Sequence, residues 1–432
     1  MTQTRENRLA RVGLRLSAWF ERWFPDAFAL ALLVVVIVFL ASLTIGASPT
    51  QAADWFGAGF WDLVPFTMQM AMILVTGYVA ATSPPIHRAI QAMASWPRTQ
   101  KSAIAWVAVF SMLSSLVSWS FSLVCSGLLA REVAQRVSTA DYRALGAAAY
   151  LGVGSVWALG LSSSAALIMA TPTSLPPSLL AISGAIPLNH TLLLWQSALM
   201  AVVLIVLSTV IAVYSAPRPE HAVTMSRMGV IPAPVRGSSP SVEHPGEWLE
   251  HSPLLTIAVG SLGYSTWREV HANGAPVLLQ LNRYIFLFLM VGLLLHWRPR
   301  SFVRAVSDAV PSVGGVLVQY PLYAGAVGIM TESGLASRLA HGFVAVSNEH
   351  TFLVLVGIYS AALGVFIPSA GARWLVEAPY VLANLIHPFW MLPLPGILGI
   401  KARDILGYCA LQFAVHVPVV LLLVWALNYT LQ

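Results

Sequence analysis

Two serine-rich groups stand inside long apolar stretches of this sequence, where hydroxyl and ionisable side chains are costly to bury in lipid. The first group comprises Ser118, Trp119, Ser120 and Ser122, and the second comprises Ser162, Ser163, Ser164 and Thr171. Serine hydroxyls, together with the free backbone amides at the start of a helix, can bind a carboxylate. Serine also packs membrane helices against one another, so a structural role stays open for both groups.

A third group lies in "VQYPLYAG" (318–325), where Gln319, Tyr320 and Tyr323 surround Pro321. A proline within a span indicates a kink, which here would lie beside a cavity. Packing alone explains the same residues nearly as well. Gln69 in "MQM" is a lone polar residue on an apolar face, and we expect it not to contact a ligand.

The fourth group is "FIPSAGARWLVEAPY" (366–380), which places Ser369, Gly371, Arg373, Trp374 and Glu377 between two apolar runs. Arg373 could bind an anion. Arg373 and Glu377 are four residues apart and share a helix face, so an internal ion pair is the stronger explanation. Both alternatives stay open.

The composition indicates a polytopic membrane protein. Hydrophobic residues make up 57% of the 432 residues and charged residues only 9%, against about 25% charged residues in soluble domains. The net charge of +6 comes from arginines in short loops, as in membrane proteins, so we expect no nucleic-acid partner. No nucleophile–base pair, metal motif or phosphate-binding loop is visible, and we expect neither an enzyme nor a bound cofactor or metal.

The distribution of basic residues predicts the topology, because short basic loops face the cytoplasm. Basic residues flank the apolar run 103–130 on both sides, and its centre is "SSLVSWSFS". A hairpin that enters and returns explains this better than one tilted helix that violates the charge rule. The next span, 144–171, is interrupted by "GLSSSAA".

The second half repeats this order upside down, with a hairpin at 351–384 and a broken span at 385–400. The prediction is an all-α polytopic membrane protein with about ten to eleven membrane segments in two inverted repeats, with re-entrant hairpins and broken helices. That arrangement is typical of secondary transporters.

Five parts follow from this topology. They are a cytoplasmic amphipathic lead-in (1–25), a first membrane repeat (26–214), a cytoplasmic linker (215–252), a connecting span with an external loop (253–282) and a second membrane repeat (283–432), shortened near 384–386. In the lead-in, Leu9, Val12, Leu16, Trp19 and Trp23 share one face, as in helices that lie in the membrane interface.

Several stretches resemble the bacterial short-chain fatty acid transporter family. They include "RWFPDAFALALL" (22–33), "FWDLVPFTMQMAMILVTG" (60–77), "AREVAQRVSTADY" (130–142), "GVLVQYPLYAG" (315–325), "HPFWMLPL" (387–394) and "KARDILGYC" (401–409). The resemblance implies a multi-pass protein of the bacterial inner membrane, with its N-terminus in the cytoplasm. It also implies uptake of small monocarboxylates, such as butyrate or acetoacetate, at a site built by the hairpins and broken spans.

Coupling to a cation gradient is a further implication, with H⁺ and Na⁺ as the candidate ions. Related carriers are often dimers, so a homodimer is a candidate assembly. The alternatives are a carrier for a different organic anion, a cation antiporter, or a family remnant that folds without transporting.

The chain also departs from the family pattern. Serine and alanine replace several family glycines in "SWSFS", "ALGLSSSAA" and "PSAGA", and glycine is the residue that lets backbone approach a ligand closely. Arg373 stands where the family has histidine, and Glu377 where a neutral amide is usual. These changes predict a narrowed or re-tuned site.

Overall fold

We describe a computed structural model of the chain. It describes residues 6–62, 64–163, 166, 169–170, 184–230, 244–274, 281–346, 355, 384–391, 393–428 and 430. Within these residues the regular secondary structure is helical. The predicted all-α class is confirmed to that extent. The second predicted hairpin, 351–384, lies almost wholly outside the described residues, so the inverted repeat stays a prediction.

The helices of the first half are α1 (Arg8–Trp23), α2 (Ala27–Thr44), α3 (Pro49–Asp62), α4 (Val64–Thr82), α5 (Pro84–Ala94), α6 (Gln100–Val117), α7 (Trp119–Arg136), α8 (Tyr142–Leu151) and α9 (Trp195–Ser215). Those that follow are α10 (Trp248–His251), α11 (Leu254–Gly260), α12 (Tyr264–Asn273), α13 (Leu281–His296), α14 (Pro299–Ala309), α15 (Gly314–Glu332), α16 (Leu335–Ala345), α17 (Pro388–Met391), α18 (Pro393–Leu398) and α19 (Ala402–Asn428).

Three of the described helices, α6, α9 and α19, are long and apolar enough to cross a membrane, or up to five spans if each bent pair counts as one. The bent pairs are α1 with α2, at 73°, and α14 with α15, at 53°. The second bend lies at the one-turn 3₁₀ helix Val310–Ser312, which contains Pro311. Helix α15 continues through Pro321 as one element.

Helix α1 places its apolar side outward. Val12, Trp19 and Trp23 are exposed, whereas Ala10, Gly13 and Ser17 are buried. The buried side is made of small residues, and it lies against α19 and the end of α9. The sequence predicted this apolar face. The opposite face of small residues explains how α1 also packs closely on the protein.

Part of the predicted linker is packed against the protein. Ala222 and Met225 are buried, and the Val223 amide donates to the Asp141 carboxylate at 2.9 Å. The Gln100 amide group also donates to the Pro217 carbonyl. Residues up to 230 therefore form a fixed contact with the ends of α6 and α8, and 231–243 lie outside the described residues.

Helix α3 begins with a reciprocal pair of hydrogen bonds between a side chain and the backbone. The Ser48 amide donates to Gln51 Oε1 at 3.0 Å, and the Gln51 amide donates to Ser48 Oγ at 3.2 Å. This reciprocal pair is a capping box, and Pro49 occupies the first helical position, where proline is favoured.

Helices α3 and α15 cross with almost no side chain between them. A Cβ atom added to Gly328 would lie 2.5 Å from the Trp55 carbonyl oxygen and 3.0 Å from the Gly59 Cα. Glycine at both positions lets the two backbones touch, as small residues do in membrane helix pairs. This crossing holds the first half of the described structure against α15.

We expect Gly328→Ala to lower the stability of the purified protein in detergent by about 1–3 kcal/mol, because a methyl group there meets backbone that cannot move aside. The measurement is the thermal unfolding midpoint. Gly314→Ala is the matched control, since that glycine starts the same helix and has nothing within 4 Å of its added Cβ. Equal midpoints for the two variants would contradict this account of the crossing.

Candidate functional site

The chain turns back on itself at Ser118, between α6 and α7. Ser118 has an extended backbone, and its hydroxyl accepts a hydrogen bond from the Phe121 amide at 3.3 Å. Ser122 Oγ donates to the Ser111 carbonyl at 2.6 Å. In a continuous helix these residues would lie about 16 Å apart at 1.5 Å per residue, so the two helices must be antiparallel. The predicted turn within 114–122 is therefore present.

The helix that follows the hairpin breaks earlier than the sequence predicted. Regular α-helix ends at Leu151, and a π-helical turn (Gly152–Val156) and a 3₁₀ turn (Trp157–Leu159) follow. Single π-helical turns are rare in proteins, and those that occur often lie at functional sites. The sequence placed the break at 160–166, which is the end of this irregular segment and not its start.

Ser111 holds the break against the hairpin. Its hydroxyl donates to the Ala149 carbonyl at 2.7 Å and accepts from the Gly152 amide at 2.8 Å. These backbone groups are the ones left free where the regular helix ends. A side chain at Gly152 would collide with the Ser111 carbonyl oxygen and with Ser122, so glycine is required by close approach.

The end of the broken segment lies on the hairpin tip. The Leu161 amide donates to the Leu116 carbonyl at 2.7 Å, and the Trp119 amide donates to Ser162 Oγ at 2.9 Å. Gly160 makes this approach possible, because an added Cβ would lie 2.6 Å from the Leu116 Cα. The Ser162 hydroxyl therefore lies at the N-terminus of α7, where its oxygen accepts the hydrogen bond from the Trp119 amide. The proton of the same hydroxyl can donate a further hydrogen bond.

Four aromatic side chains meet beside this tip. The Trp390 ring lies 5.6 Å from the Trp119 ring, 6.3 Å from the Trp157 ring and 6.4 Å from the Tyr320 ring, centroid to centroid. These are distances at which aromatic pairs attract one another. Trp119 comes from the hairpin, Trp157 from the broken segment and Tyr320 from α15, so Trp390 joins the first and second halves.

Asn384 is a polar residue that the sequence reasoning missed. It is fully buried, and its backbone carbonyl accepts from the Tyr150 hydroxyl at 2.7 Å. Neither polar atom of its side chain has a hydrogen-bond partner within the part of the chain that the structure describes. A buried, unpartnered amide costs about 1–3 kcal/mol, and such a group is a candidate ligand for something that binds there.

The remaining predicted site residues divide into three sets. Ser118, Ser120, Ser163, Gln319 and Tyr323 are buried near the residues above, with the Tyr323 ring 6.5 Å from the His387 ring. Ser122 is buried too, but its bond to Ser111 makes it a packing residue. Ser164, Thr171, Ser369, Gly371, Arg373 and Trp374 lie outside the described residues, as does Glu377.

Gln69 has a protein partner. Its side-chain amide donates to Asn282 Oδ1 at 2.7 Å. This hydrogen bond explains a polar residue on an apolar face of α4, and no ligand is needed.

The described residues gathered at this site carry no formal charge. Its electrostatic character comes from the N-terminus of α7, where the aligned peptide dipoles give a partial positive charge. Within the described residues no group of three or more metal-ligating side chains is present. The arrangement can therefore bind a small anion through hydroxyl and amide protons, with aromatic faces against an apolar body.

Formal charges collect at the ends of the helices. Arg143 Nη1 lies 2.8 Å from Glu21 Oε1, and Arg143 Nη2 lies 3.0 Å from Asp141 Oδ2. Burial alone would lower the pKa of the Arg143 guanidinium, but the Asp141 carboxylate outweighs it and raises that pKa above its ordinary value. The guanidinium therefore stays charged, and it ties α1 to the start of α8.

Comparison with known proteins gives a consistent family match. The family model described as "Short chain fatty acid transporter" matches residues 8–383. A protein of Escherichia coli (strain K12) named "Putative short-chain fatty acid transporter" is 32% identical, over 93% of this chain and 96% of its own length. A protein of the same name from Haemophilus influenzae is 29% identical, over 95% of this chain and 98% of its own.

One solved structure also aligns with most of the chain. The crystal structure of the Alcanivorax borkumensis YdaH transporter covers 93% of this chain and 98% of that chain, with 16% sequence identity and a TM-score of 0.44.

We expect Ser111→Ala to destabilise the protein by about 1–3 kcal/mol, because it leaves two buried backbone groups without partners. Amide hydrogen exchange at Gly152 should accelerate as well. Ser114→Ala is the control, since that hydroxyl bonds only to carbonyls of its own helix. If Ser111→Ala and Ser114→Ala had the same midpoint and the same exchange at Gly152, Ser111 would not hold the break.

Proposed function

This chain belongs to the short-chain fatty acid transporter family, and on that basis we propose that it carries short-chain fatty acids or similar small monocarboxylates across the bacterial cytoplasmic membrane. The family match and the named relatives indicate a transporter and not an enzyme. In this proposal the carrier works by alternating access and is coupled to a cation gradient.

The proposal rests on the convergence of Ser162, the N-terminus of α7 and an aromatic cluster. This cluster, called the Trp390 cluster below, consists of Trp119, Trp157, Tyr320 and Trp390. A carboxylate would accept a hydrogen bond from the Ser162 hydroxyl, whose oxygen accepts a hydrogen bond from the Trp119 amide. Hydrogen bonds to charged groups are worth about 1.5–3 kcal/mol each. The Trp119 and Trp390 rings would contact the acyl chain. Two rings cover only a short length of such a chain, which suits a fatty acid of few carbons.

Asn384 would supply the second polar contact. Its side-chain amide is already desolvated, so binding a carboxylate there would satisfy a group that has no hydrogen-bond partner among the described residues. An amide donates through Nδ2, which suits the ionised form of a fatty acid. The same group would discriminate against an apolar solute of similar shape.

Alternating access needs an element that moves and a contact that can open. The segment 384–391 is held to the first half by the Tyr150–Asn384 hydrogen bond of 2.7 Å and by Trp390. We propose that this segment separates from the hairpin tip in one of the two access states. Broken helices at a shared site are the common design of secondary transporters.

The proposed orientation follows from the charged end of the molecule. At one end of the molecule, Arg143 pairs with Glu21 and with Asp141. The Val223 amide donates to the same Asp141 carboxylate. Arg131 donates to the Ile397 carbonyl at 2.9 Å. Basic residues in short loops favour the cytoplasmic side. The N-terminus would then be cytoplasmic, and Val12, Trp19 and Trp23 would lie in the lipid interface.

A carrier for a different organic anion is the second candidate. The replacement of family glycines by serine in "SWSFS" and "GLSSS" favours it, because added hydroxyls change both the volume and the hydrogen-bonding capacity of the site. Uptake of labelled hydroxylated or longer monocarboxylates in place of butyrate would support it.

We expect Asn384→Leu to reduce labelled butyrate uptake by proteoliposomes about tenfold or more, which corresponds to one lost hydrogen bond to a charged group. The same change should leave stability unchanged or raise it by about 1–2 kcal/mol, because it removes an unpartnered buried amide. Thermal unfolding measured beside uptake gives both numbers.

Asn282→Leu is the matched control for Asn384→Leu. Asn282 has a partner in Gln69, so its loss should leave uptake per folded protein near the wild-type value. The assignment of Asn384 would be wrong if Asn384→Leu lowered stability and left uptake intact.

We expect Ser162→Ala to raise the apparent KM for butyrate by about tenfold, because the hydroxyl that extends the α7 N-terminus toward the carboxylate is lost. Ser261→Ala is the control, since the Ser261 hydroxyl bonds only to the Ala258 carbonyl on its own segment. An unchanged KM in Ser162→Ala would remove that residue from the site.

A further inference from the structure

His416 is a titratable residue in the middle of α19, a helix that is long and apolar enough to cross the membrane. Its side chain is 2% exposed. An ionisable group at membrane depth costs a few kcal/mol, so such groups in carriers mark ion or proton paths. The site described above does not include His416.

The hydrogen bonds of His416 fix its tautomer. Nδ1 lies 2.6 Å from the Gln412 carbonyl oxygen, which can only accept, so Nδ1 carries a proton. Nε2 lies 2.8 Å from Ser208 Oγ on α9. In the neutral ring, Nε2 therefore accepts a hydrogen bond from the Ser208 hydroxyl, and this basic nitrogen faces α9.

One proton can be added without breaking this contact. When Nε2 is protonated, the Nε2–H donates to Ser208 Oγ. The serine hydroxyl then turns its own proton toward a carbonyl of the preceding turn of α9, as serines in helices commonly do. The imidazole becomes an imidazolium, and no covalent bond other than the new Nε2–H bond forms or breaks.

A polar stripe extends from His416 along α19. Tyr408, Gln412 and His416 are spaced by four residues and so share one face of the helix. Gln412 Nε2 donates to the Ser208 carbonyl at 2.9 Å. Gln412 Oε1 is buried and has no hydrogen-bond partner among the residues that the structure describes.

Gln412 also borders a small cavity of about 10 Å³, which Tyr408 and Ser215 line as well. That volume is close to the least that holds one water molecule. Ala144 lines the same cavity, and Arg143 beside it belongs to the ionic cluster with Asp141 and Glu21. Polar groups thus lead from the charged end of the molecule toward His416.

The partners of His416 itself are neutral. Helices α1, α8 and α9 pack against α19. Of the titratable or charged side chains on these elements, Glu21 of α1 and Arg143 of α8 pair with each other, and Tyr142 and Tyr150 of α8 donate to the Leu398 and Asn384 carbonyls. Tyr214 of α9 is 49% exposed, and on α19 the Asp404 carboxylate accepts from the Lys401 amide. Within the part of the chain that the structure describes, the hydrogen bonds of His416 go to Ser208 and Gln412.

Among the described residues, an imidazolium at this position would therefore have no fixed counter-charge, and a buried, uncompensated charge is strongly unfavourable. A carboxylate that enters the carrier supplies the missing negative charge. Proton binding and substrate binding then favour each other by the same factor, as linkage requires.

We propose that His416 is the proton-binding group of this carrier and takes up one proton at Nε2 for each monocarboxylate that is moved. The proposal rests on the transport function proposed above. One proton and one carboxylate anion sum to zero charge, so the cotransport is electroneutral, and a membrane potential alone does not drive it.

The test uses the full-length protein in proteoliposomes and two assays with labelled butyrate, each corrected with protein-free vesicles for passive permeation. The first measures accumulation driven by a pH gradient, and the second measures exchange at equal pH on both sides. His416→Gln keeps a hydrogen-bonding side chain but cannot be protonated. It should lose about tenfold or more of the gradient-driven accumulation, the equivalent of one hydrogen bond to a charged group, and retain exchange.

His296→Gln is the matched control, because His296 is equally buried and bonds to Ser301 Oγ and to the Val79 carbonyl. It should behave as the wild type in both assays. Wild-type accumulation in His416→Gln would overturn the proposal, and so would parallel loss of accumulation and exchange in folded protein. If the wild type shows neither activity, the transport function itself is wrong.

A second measurement needs only the wild-type protein. Sodium butyrate added to weakly buffered, purified protein in detergent should raise the pH through equimolar proton uptake. Absence of proton uptake at saturating butyrate would overturn the proposal whether or not His416→Gln folds.

Discussion

Backbone amides and carbonyls that are freed where a membrane helix breaks must find partners inside the protein, because lipid offers none. In this chain serine hydroxyls supply those partners. Ser118 caps α7, Ser111 joins the Ala149 carbonyl to the Gly152 amide, and Ser162 receives the Trp119 amide. The hairpin turn, the π-helical turn and the position of the Trp119 ring all depend on these bonds.

Helix α9 connects the elements on which the two functional proposals rest. Helix α9 packs against α6, against the π-helical turn Gly152–Val156 and against α19. It therefore touches both the broken segment beside Ser162 and, through Ser208, the imidazole of His416. A change of protonation at His416 would act directly on α9, which contacts both the proposed proton site and the broken segment beside the proposed substrate site.

Local signals allowed part of this structure to be predicted. The hairpin turn follows from basic flanks and the serines around Ser118, and the capping box at Ser48 could have predicted α3. Contacts between distant residues could not be predicted in this way. The break at Gly152 depends on Ser111, and the Trp390 cluster joins residues more than 200 positions apart. Asn384 becomes a candidate only when it is known to be buried with no hydrogen-bond partner for its side chain within the described ranges.

The central claim is that Ser162, the α7 N-terminus and the segment 384–391 together bind a short-chain carboxylate. Hydrogen–deuterium exchange of the full-length protein, with and without saturating butyrate, tests it most directly. The account predicts slower exchange at residues 116–121, 157–163 and 384–391 when butyrate is bound. Unchanged exchange in all three segments, with butyrate protection elsewhere in the chain, would contradict it.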